Sequence, residues 1–264
     1  MLMLLLTDLN DDIPSFNQPC GLTIGSFDGV HLGHKALLQH LRSKLPPDGI
    51  LAVFTFFNHP SHLFSPHTPT SLICPPLQKI KHLADYGVEI VYLIPFSAEF
   101  AKTSFETFLT LMKQRLHFSQ LALGSGASFG KNKEGDQKNV QHLADKLQFE
   151  VDYMEKFLVN GKPVSSGHIR TLISHGNFLE IKECLGHPYS LMGRIQEENG
   201  HYRLEFPGIC LPPTGDYPIR LKTHSHAYQV TAHVVQKNHQ VLLKIPPTRL
   251  PFAGEDAECV FMPS

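Results

Sequence analysis

Gly25-Ser26-Phe27-Asp28-Gly29-Val30-His31-Leu32-Gly33-His34 is the stretch around which the rest of the chain is organised. The apolar run Leu22-Thr23-Ile24 before it reads as a buried strand, and Ala36-Leu37-Leu38 with Leu41 after it has the spacing of a helix with one buried face. Strand, glycine turn and helix start, in that order, make a site for an anion. Glycines let the backbone approach a ligand, and the first turn of a helix offers unpaired N–H groups and the positive end of its dipole. His31 and His34 add two imidazoles that can donate hydrogen bonds to a phosphate without the permanent charge of a lysine. The same pair could be part of a metal site, or a coincidence among 17 histidines in 264 residues. Against zinc, no cysteine lies nearby and no third ligand follows at a zinc-like spacing, so metal ligands stay unassigned and a nucleotide phosphate is the favoured ligand.

A chain of this length with 42% hydrophobic residues is expected to bury a substantial core, as one large domain or two modest ones. Its net charge of −1 argues against a nucleic-acid or membrane-surface partner and for a small, locally bound anion. Cys20, Cys74, Cys184, Cys210 and Cys259 are odd in number and scattered, as expected of reduced thiols in a cytoplasmic protein. The opening Met1 to Leu6 lacks a preceding basic residue and reads as an edge strand rather than a signal peptide, and no apolar run approaches the length of a membrane span. The oligomeric state is not legible.

Downstream, Ile50 to Phe56, Val88 to Ile94, Leu121 to Gly124 and Phe149 to Tyr153 read as further strands, with helices predicted near Leu77 to Tyr86, through Phe105, Phe108, Leu109 and Met112, and over Val140 to Leu147. The three-and-four spacing of Phe105, Phe108 and Met112 predicts core packing rather than ligand stacking. Ser61 to Pro76, rich in Pro, Ser, Thr and His, reads as a long loop. Beyond Tyr189 the pattern changes to short alternating runs, including Tyr202 to Phe206, Tyr228 to Val235 and Val241 to Ile245, as in a small antiparallel barrel or sheet. The fold class expected is therefore α/β, with a Rossmann-like, largely parallel five-stranded sheet over residues 1–186 and a reduced all-β domain over 187–264.

Gly25 to His34 resembles the G-N-F-D-G-V-H-x-G-H signature in the adenylyltransferase half of the bacterial bifunctional riboflavin kinase/FMN adenylyltransferase (FAD synthetase) family, with Ser26 in place of Asn. Phe57-Asn58-His59-Pro60 resembles the family's F-x-P-H-P, and Gly124 to Lys131 its G-x-D-F-x-F-G-K, with Gly126 and Ala127 departing from the expected Asp and aromatic. Val164-Ser165-Ser166-Gly167-His168-Ile169-Arg170 resembles V-S-S-T-R-I-R, so that a titratable imidazole replaces one of two fixed cations. Serines at a helix start can cradle an anion, and an arginine one turn in can clamp it.

The resemblance implies transfer of AMP from ATP to FMN, with Mg²⁺, giving FAD and pyrophosphate. It implies catalytic roles for His31, His34 and Arg170, nucleotide binding by Gly25, Ser26, Phe27, Asp28, Gly33, Ser165 and Ser166, and flavin binding by Asn58, His59, Pro60 and Phe129. The family's kinase motif G-F-P-T-A-N has its nearest counterpart in Phe206-Pro207-Gly208-Ile209-Cys210, where Thr-Ala-Asn is gone, so riboflavin kinase activity is expected to be lost. Two other functions fit the same residues: a nucleotidylyltransferase for another phosphate acceptor, and a non-catalytic flavin- or nucleotide-binding protein.

Overall fold

The run Ile50–Phe56 is the central strand β3 of the computed structural model, which describes residues 3–198, 200–244 and 253–262. Its successive side chains point to opposite faces: Ala52 and Phe54 enter one apolar cluster, Leu51 and Val53 another. A strand covered on both faces is an unbroken apolar run, the mark of a parallel sheet with helices on either side. The other strands of its sheet are β1 (Leu4–Leu6), β2 (Cys20–Ile24), β4 (Ile90–Ile94), β5 (Gln120–Gly124) and β6 (Glu150–Met154). Among the described residues these six form one sheet in the order β1-β4-β3-β2-β5-β6, every neighbour parallel. The expected count of five is thus corrected to six. The opening edge strand joins the same sheet, because Leu6 is buried and Leu4 to Leu6 pair with Ile90 to Tyr92.

α1 (Leu32–Ser43) covers one face through Leu37, Leu38 and Leu41. α4 (Phe105–Leu116) and α5 (Gln137–Leu147) cover the other, each opened by a side-chain cap from Ser104 and Asp136. The expected long loop contains a one-turn helix, α2 (Ser61–Phe64), before α3 (Pro76–Asp85). Since β3 and β4 lie on one side of β2 and β5 and β6 on the other, the chain reverses its direction of travel between β2 and β5. Crevices at such a switch point, beyond the carboxyl ends of the strands, are where open α/β sheets bind ligands.

Residues Met1–Pro69 and Ile80–Leu158 form one compact unit, and Thr70–Lys79 with Val159–Ser264 form a second. β7 (Leu158–Val159) and β8 (Lys162–Pro163) make a minimal hairpin where the chain passes from one to the other. The second unit holds α6 (Ser166–Ser174) and α7 (Phe178–Leu185), the latter closed by Gly186 in the left-handed conformation at φ 81°. It also holds an antiparallel sheet of β9 (Ser190–Arg194), β10 (Gln196–Glu198), β11 (His201–Glu205), β12 (Gly215–Lys222), β13 (Ala227–Val235), β14 (Gln240–Lys244) and β15 (Asp256–Phe261), in the order β10-β11-β14-β13-β12-β15-β9. The two ends of that order approach each other. A Cβ on Gly193 of β9 would lie 2.9 Å from the Phe206 ring and 3.4 Å from Leu204 of β11, so the sheet curls nearly into a barrel. Ile169, Ile173, Phe178 and Ile181 of the two helices share one core with Leu191, Leu204, Leu221 and Phe261. Ile245, the last residue of the expected final run, lies outside the described residues.

Candidate functional site

The signature turn is built around aromatic rings. Thr55 Oγ1 donates to the Ser26 carbonyl at 2.8 Å and the Gly25 N–H to the Phe54 carbonyl at 3.0 Å, fixing the turn to β3 as it leaves β2. The Val30 N–H returns to the Phe27 carbonyl at 3.2 Å, closing Phe27-Asp28-Gly29-Val30 into a tight loop. Gly29 takes φ 78°, and Phe27 and Val30 are also left-handed at 47° and 38°, although neither is a glycine. Phe27, Asp28 and Val30 are all buried.

His31 is the N-cap of α1: its Nδ1 accepts the backbone N–H of His34 at 3.3 Å. Such a cap is worth about 1 kcal/mol to a helix. The imidazoles of His31 and His34 stack with centroids 3.7 Å apart, and Phe27 lies 4.7 Å beyond His34. This explains two glycines that a motif alone leaves unexplained. A Cβ on Gly33 would sit 3.1 Å from the His31 ring, and one on Gly25 would sit 3.2 Å from the Phe27 ring. The far end of α1 is held by Arg42, which donates to Glu89 at 2.6 Å and to the Gly49 carbonyl, and by Asp152 of β6, which accepts from Lys44 at 2.9 Å and His40 at 2.7 Å. Those bonds from Lys44 and His40 hold the Asp152 carboxyl below its usual range.

Beside the turn, at the carboxyl ends of β2 to β5, opens a cleft of about 980 Å³. That is within the size range of small-molecule sites. Gly25 and Ser26 form one wall, Ala127, Ser128, Phe129 and Gly130 another, and His59, Pro60 and Ser61 a third. Its apolar lining comes from Phe56, Phe64, Phe96, Phe100, Phe108 and Phe129, several of them packed edge to face. Phe108 is in the core, as its helical spacing predicts, and its exposed edge also lines the cleft. His59 Nδ1 accepts from the Ser61 N–H at 3.1 Å. Asn58 stands one step back: its amide takes the Phe96 N–H at 2.7 Å and donates to the Phe96 carbonyl at 3.2 Å, so it shapes the wall that Phe96 forms. Phe56, Phe96 and Phe100 were not singled out by sequence reasoning, and neither was Lys133, the one Lys, Arg, Asp or Glu among the described lining residues. The signal that could have found Lys133 is its place two residues beyond the G-K end of a recognised loop.

Gly126 is exposed at φ 77° with open space where a Cβ would be, so the position that resembles the family's Asp borders solvent here. Gly130 is different. At φ 76°, its Cβ would fall 2.5 Å from the Phe105 backbone nitrogen, and the neighbouring Phe129 and Gly135 close the loop by mutual backbone bonds. Gly130→Ala is expected to cost about 1–3 kcal/mol through forced backbone strain. Thermal unfolding should register this as a Tm lowered by on the order of 5 °C, and an unchanged Tm would contradict the packing.

In the second unit, Ser165 caps α6 by accepting the His168 N–H at 3.2 Å, with Ser166 at the first helical position. Arg170 lies one turn in, its Nε donating to the Ser71 carbonyl at 2.8 Å. The described cysteines are all free thiols, and burial pushes Cys20 and Cys259 up to about 12, which leaves them inert. No helix among the described residues is long and apolar enough to cross a membrane.

A solved structure described as a macrolide-efflux protein from Streptococcus pneumoniae superposes with a TM-score of 0.83, covering 99% of this chain and 90% of that one. At 23% identity that likeness shows the fold alone. The FAD synthetase of Listeria monocytogenes is 33% identical over 200 residues, 74% of this chain and 79% of that one. The bifunctional riboflavin kinase/FMN adenylyltransferase of Escherichia coli is 30% identical over 205 residues, 77% of this chain, and the match spans only 64% of that longer enzyme. The family model described as FAD synthetase matches residues 13–168, which take in the signature turn, the cleft and the start of α6. The chain belongs to the FAD synthetase family.

Proposed function

We propose that the chain transfers AMP from ATP to FMN, releasing pyrophosphate and forming FAD, with residues 1–186 as the catalytic segment. The observation that carries this reading is the capped, ring-stacked turn of His31 and His34 opening beside a cleft lined with phenylalanines. A flat isoalloxazine suits aromatic walls, and the positive charge of Lys133 at the rim suits an anionic substrate. The FMN phosphate is ionised before it attacks the α-phosphorus of ATP. The protein therefore needs neither a covalent intermediate nor a strong base, only alignment and stabilisation of charge. His31 and His34 donate to the triphosphate as charge moves onto the leaving pyrophosphate. By the resemblance, Ser165, Ser166 and Arg170 bind nucleotide phosphate, and Gly25, Ser26, Phe27, Asp28 and Gly33 belong to the nucleotide-binding turn. His59, Pro60 and Phe129 border the flavin, with Asn58 behind them.

Among the described residues no three His, Cys, Asp or Glu side chains cluster as a metal site. Bound together with the triphosphate, Mg²⁺ would supply neutralisation of phosphate charge. We propose that the reaction takes place in the cytoplasm, without a nucleic-acid or membrane partner.

The kinase reaction of the bifunctional relatives is proposed to be absent. Leu72 pairs with Ile209, its N–H donating to the Gly208 carbonyl and its carbonyl accepting the Cys210 N–H at 2.7 Å. Phe206 and Ile209 are buried, so the segment that resembles the kinase motif is occupied in packing. The test is incubation with ATP and Mg²⁺ plus either FMN or riboflavin, followed by chromatography of the flavins. FAD is expected from FMN and neither FMN nor FAD from riboflavin. No FAD from FMN would refute the main reading, and turnover of riboflavin would refute the loss of the kinase.

A further inference from the structure

We propose that Phe27 is a positioning residue for this transfer: its ring backs the stacked imidazoles of His34 and His31 and, with the helix cap, keeps His31 in the tautomer that carries its proton on Nε2. The inference rests on the function proposed above. The contacts are continuous, with the Phe27 ring 4.7 Å from His34 at an interplanar angle of 36°, and His34 3.7 Å from His31 at 11°. Because His31 Nδ1 accepts the His34 backbone N–H, that nitrogen keeps its lone pair, and the proton of the neutral ring must sit on Nε2. Nε2–H is then a fixed donor for a phosphate oxygen. Gly33 lies against the His31 ring on one side and His34 stacks on it, so the ring has little freedom to turn and exchange its two nitrogens.

The backbone supports the same assignment. Phe27 at φ 47° and Val30 at φ 38° are left-handed non-glycine residues in one four-residue turn, and Val30 is β-branched. Strain of this kind persists where the surroundings over-determine it, commonly at functional sites. Here the turn brings the Phe27 ring against Gly25, under His34, and delivers His31 at the start of α1. A core phenylalanine could be held by packing without such a backbone.

Phe27→Leu tests this, since leucine keeps apolar bulk and meets a similar backbone cost at positive φ while removing the ring. Expected is a kcat lowered about tenfold with the KM for ATP changed less than about threefold, because alignment rather than binding is disturbed. Nitrogen shifts of the histidines in ¹⁵N-labelled protein give a readout that a merely structural role would not move. Wild-type His31 should show a pyridine-like Nδ1 and a pyrrole-like Nε2, and Phe27→Leu should average the two. Should the variant fail to fold, the wild-type spectrum alone decides, since a protonated Nδ1 on His31 overturns the assignment. Wild-type kcat and an unaltered His31 signature in folded Phe27→Leu overturn it as well. A wild-type protein that forms no FAD overturns instead the function on which the inference rests.

Discussion

His34→Ala is expected to lower kcat by roughly 10²–10³ with the fold retained, the scale for removing one preorganised donor to developing charge. His34 lies in the first turn of α1, half-buried between the rings of Phe27 and His31, and it is His34's backbone N–H rather than its ring that takes part in the cap. Alanine keeps that backbone bond. His31 offers a sharper separation, because its Nδ1 accepts the helix N–H while its Nε2 is the donor in the proposed reaction. His31→Ala should lose both, with a comparable fall in kcat and about 1 kcal/mol of stability. His31→Asn should recover the stability, since asparagine is a good N-cap, and still lack the rate. The double variant His31→Ala with His34→Ala should cost less than the sum of the two, because both act on one charge. A near-wild-type kcat in His34→Ala, measured as FAD formed from saturating FMN and ATP, would remove that residue from the mechanism.

Much of the first unit was legible because its physics is local. Apolar runs of strand length alternating with 3.6-residue stripes dictated a parallel sheet, and of the two serines read at a helix start before Arg170, Ser165 is the N-cap of α6. The opening strand was legible as an edge, though its membership of the same sheet depends on pairing with β4, 86 positions later at Leu4 and Ile90. What stayed hidden depends on contacts distant in sequence. Phe56, Phe96, Phe100 and Phe108 converge on one cleft only after β3, β4 and α4 are packed, and each alone looks like a core residue. The left-handed backbone at Phe27 and Val30 is invisible where no glycine marks it. Asn58 was assigned to the flavin through the resemblance of Phe57 to Pro60, and no sequence pattern shows that its amide binds both backbone groups of Phe96. Thr70 to Lys79 join the second unit through Leu72 pairing with Ile209 and Gln78 donating to Ser190, partners more than a hundred residues away that no periodicity could reveal.

Arg170→Ala is expected to lower kcat/KM for ATP by roughly 10²-fold, about 2.7 kcal/mol of transition-state stabilisation, and to raise KM for ATP as well as lower kcat. Position 168, where the resemblance leads one to expect a second arginine, holds His168, so Arg170 is the fixed cation that this helix turn retains. Its Nε is bound to the Ser71 carbonyl at 2.8 Å, which orients the plane of the guanidinium relative to α6. A lysine reproduces the charge but has one nitrogen, and it cannot both hold Ser71 and present a planar fork to phosphate oxygens. Arg170→Lys should therefore recover little of the lost kcat/KM. Part of any loss could come through the Ser71 bond, whose removal is worth about 0.5–1.5 kcal/mol of stability, so Tm is measured alongside the kinetics. Ser71→Ala keeps the backbone carbonyl that Arg170 uses and so leaves the bond in place, and both its kinetics and its Tm should match wild type. Wild-type kcat/KM in Arg170→Lys would show that point charge alone suffices at this position and that the oriented fork has no part in the reaction.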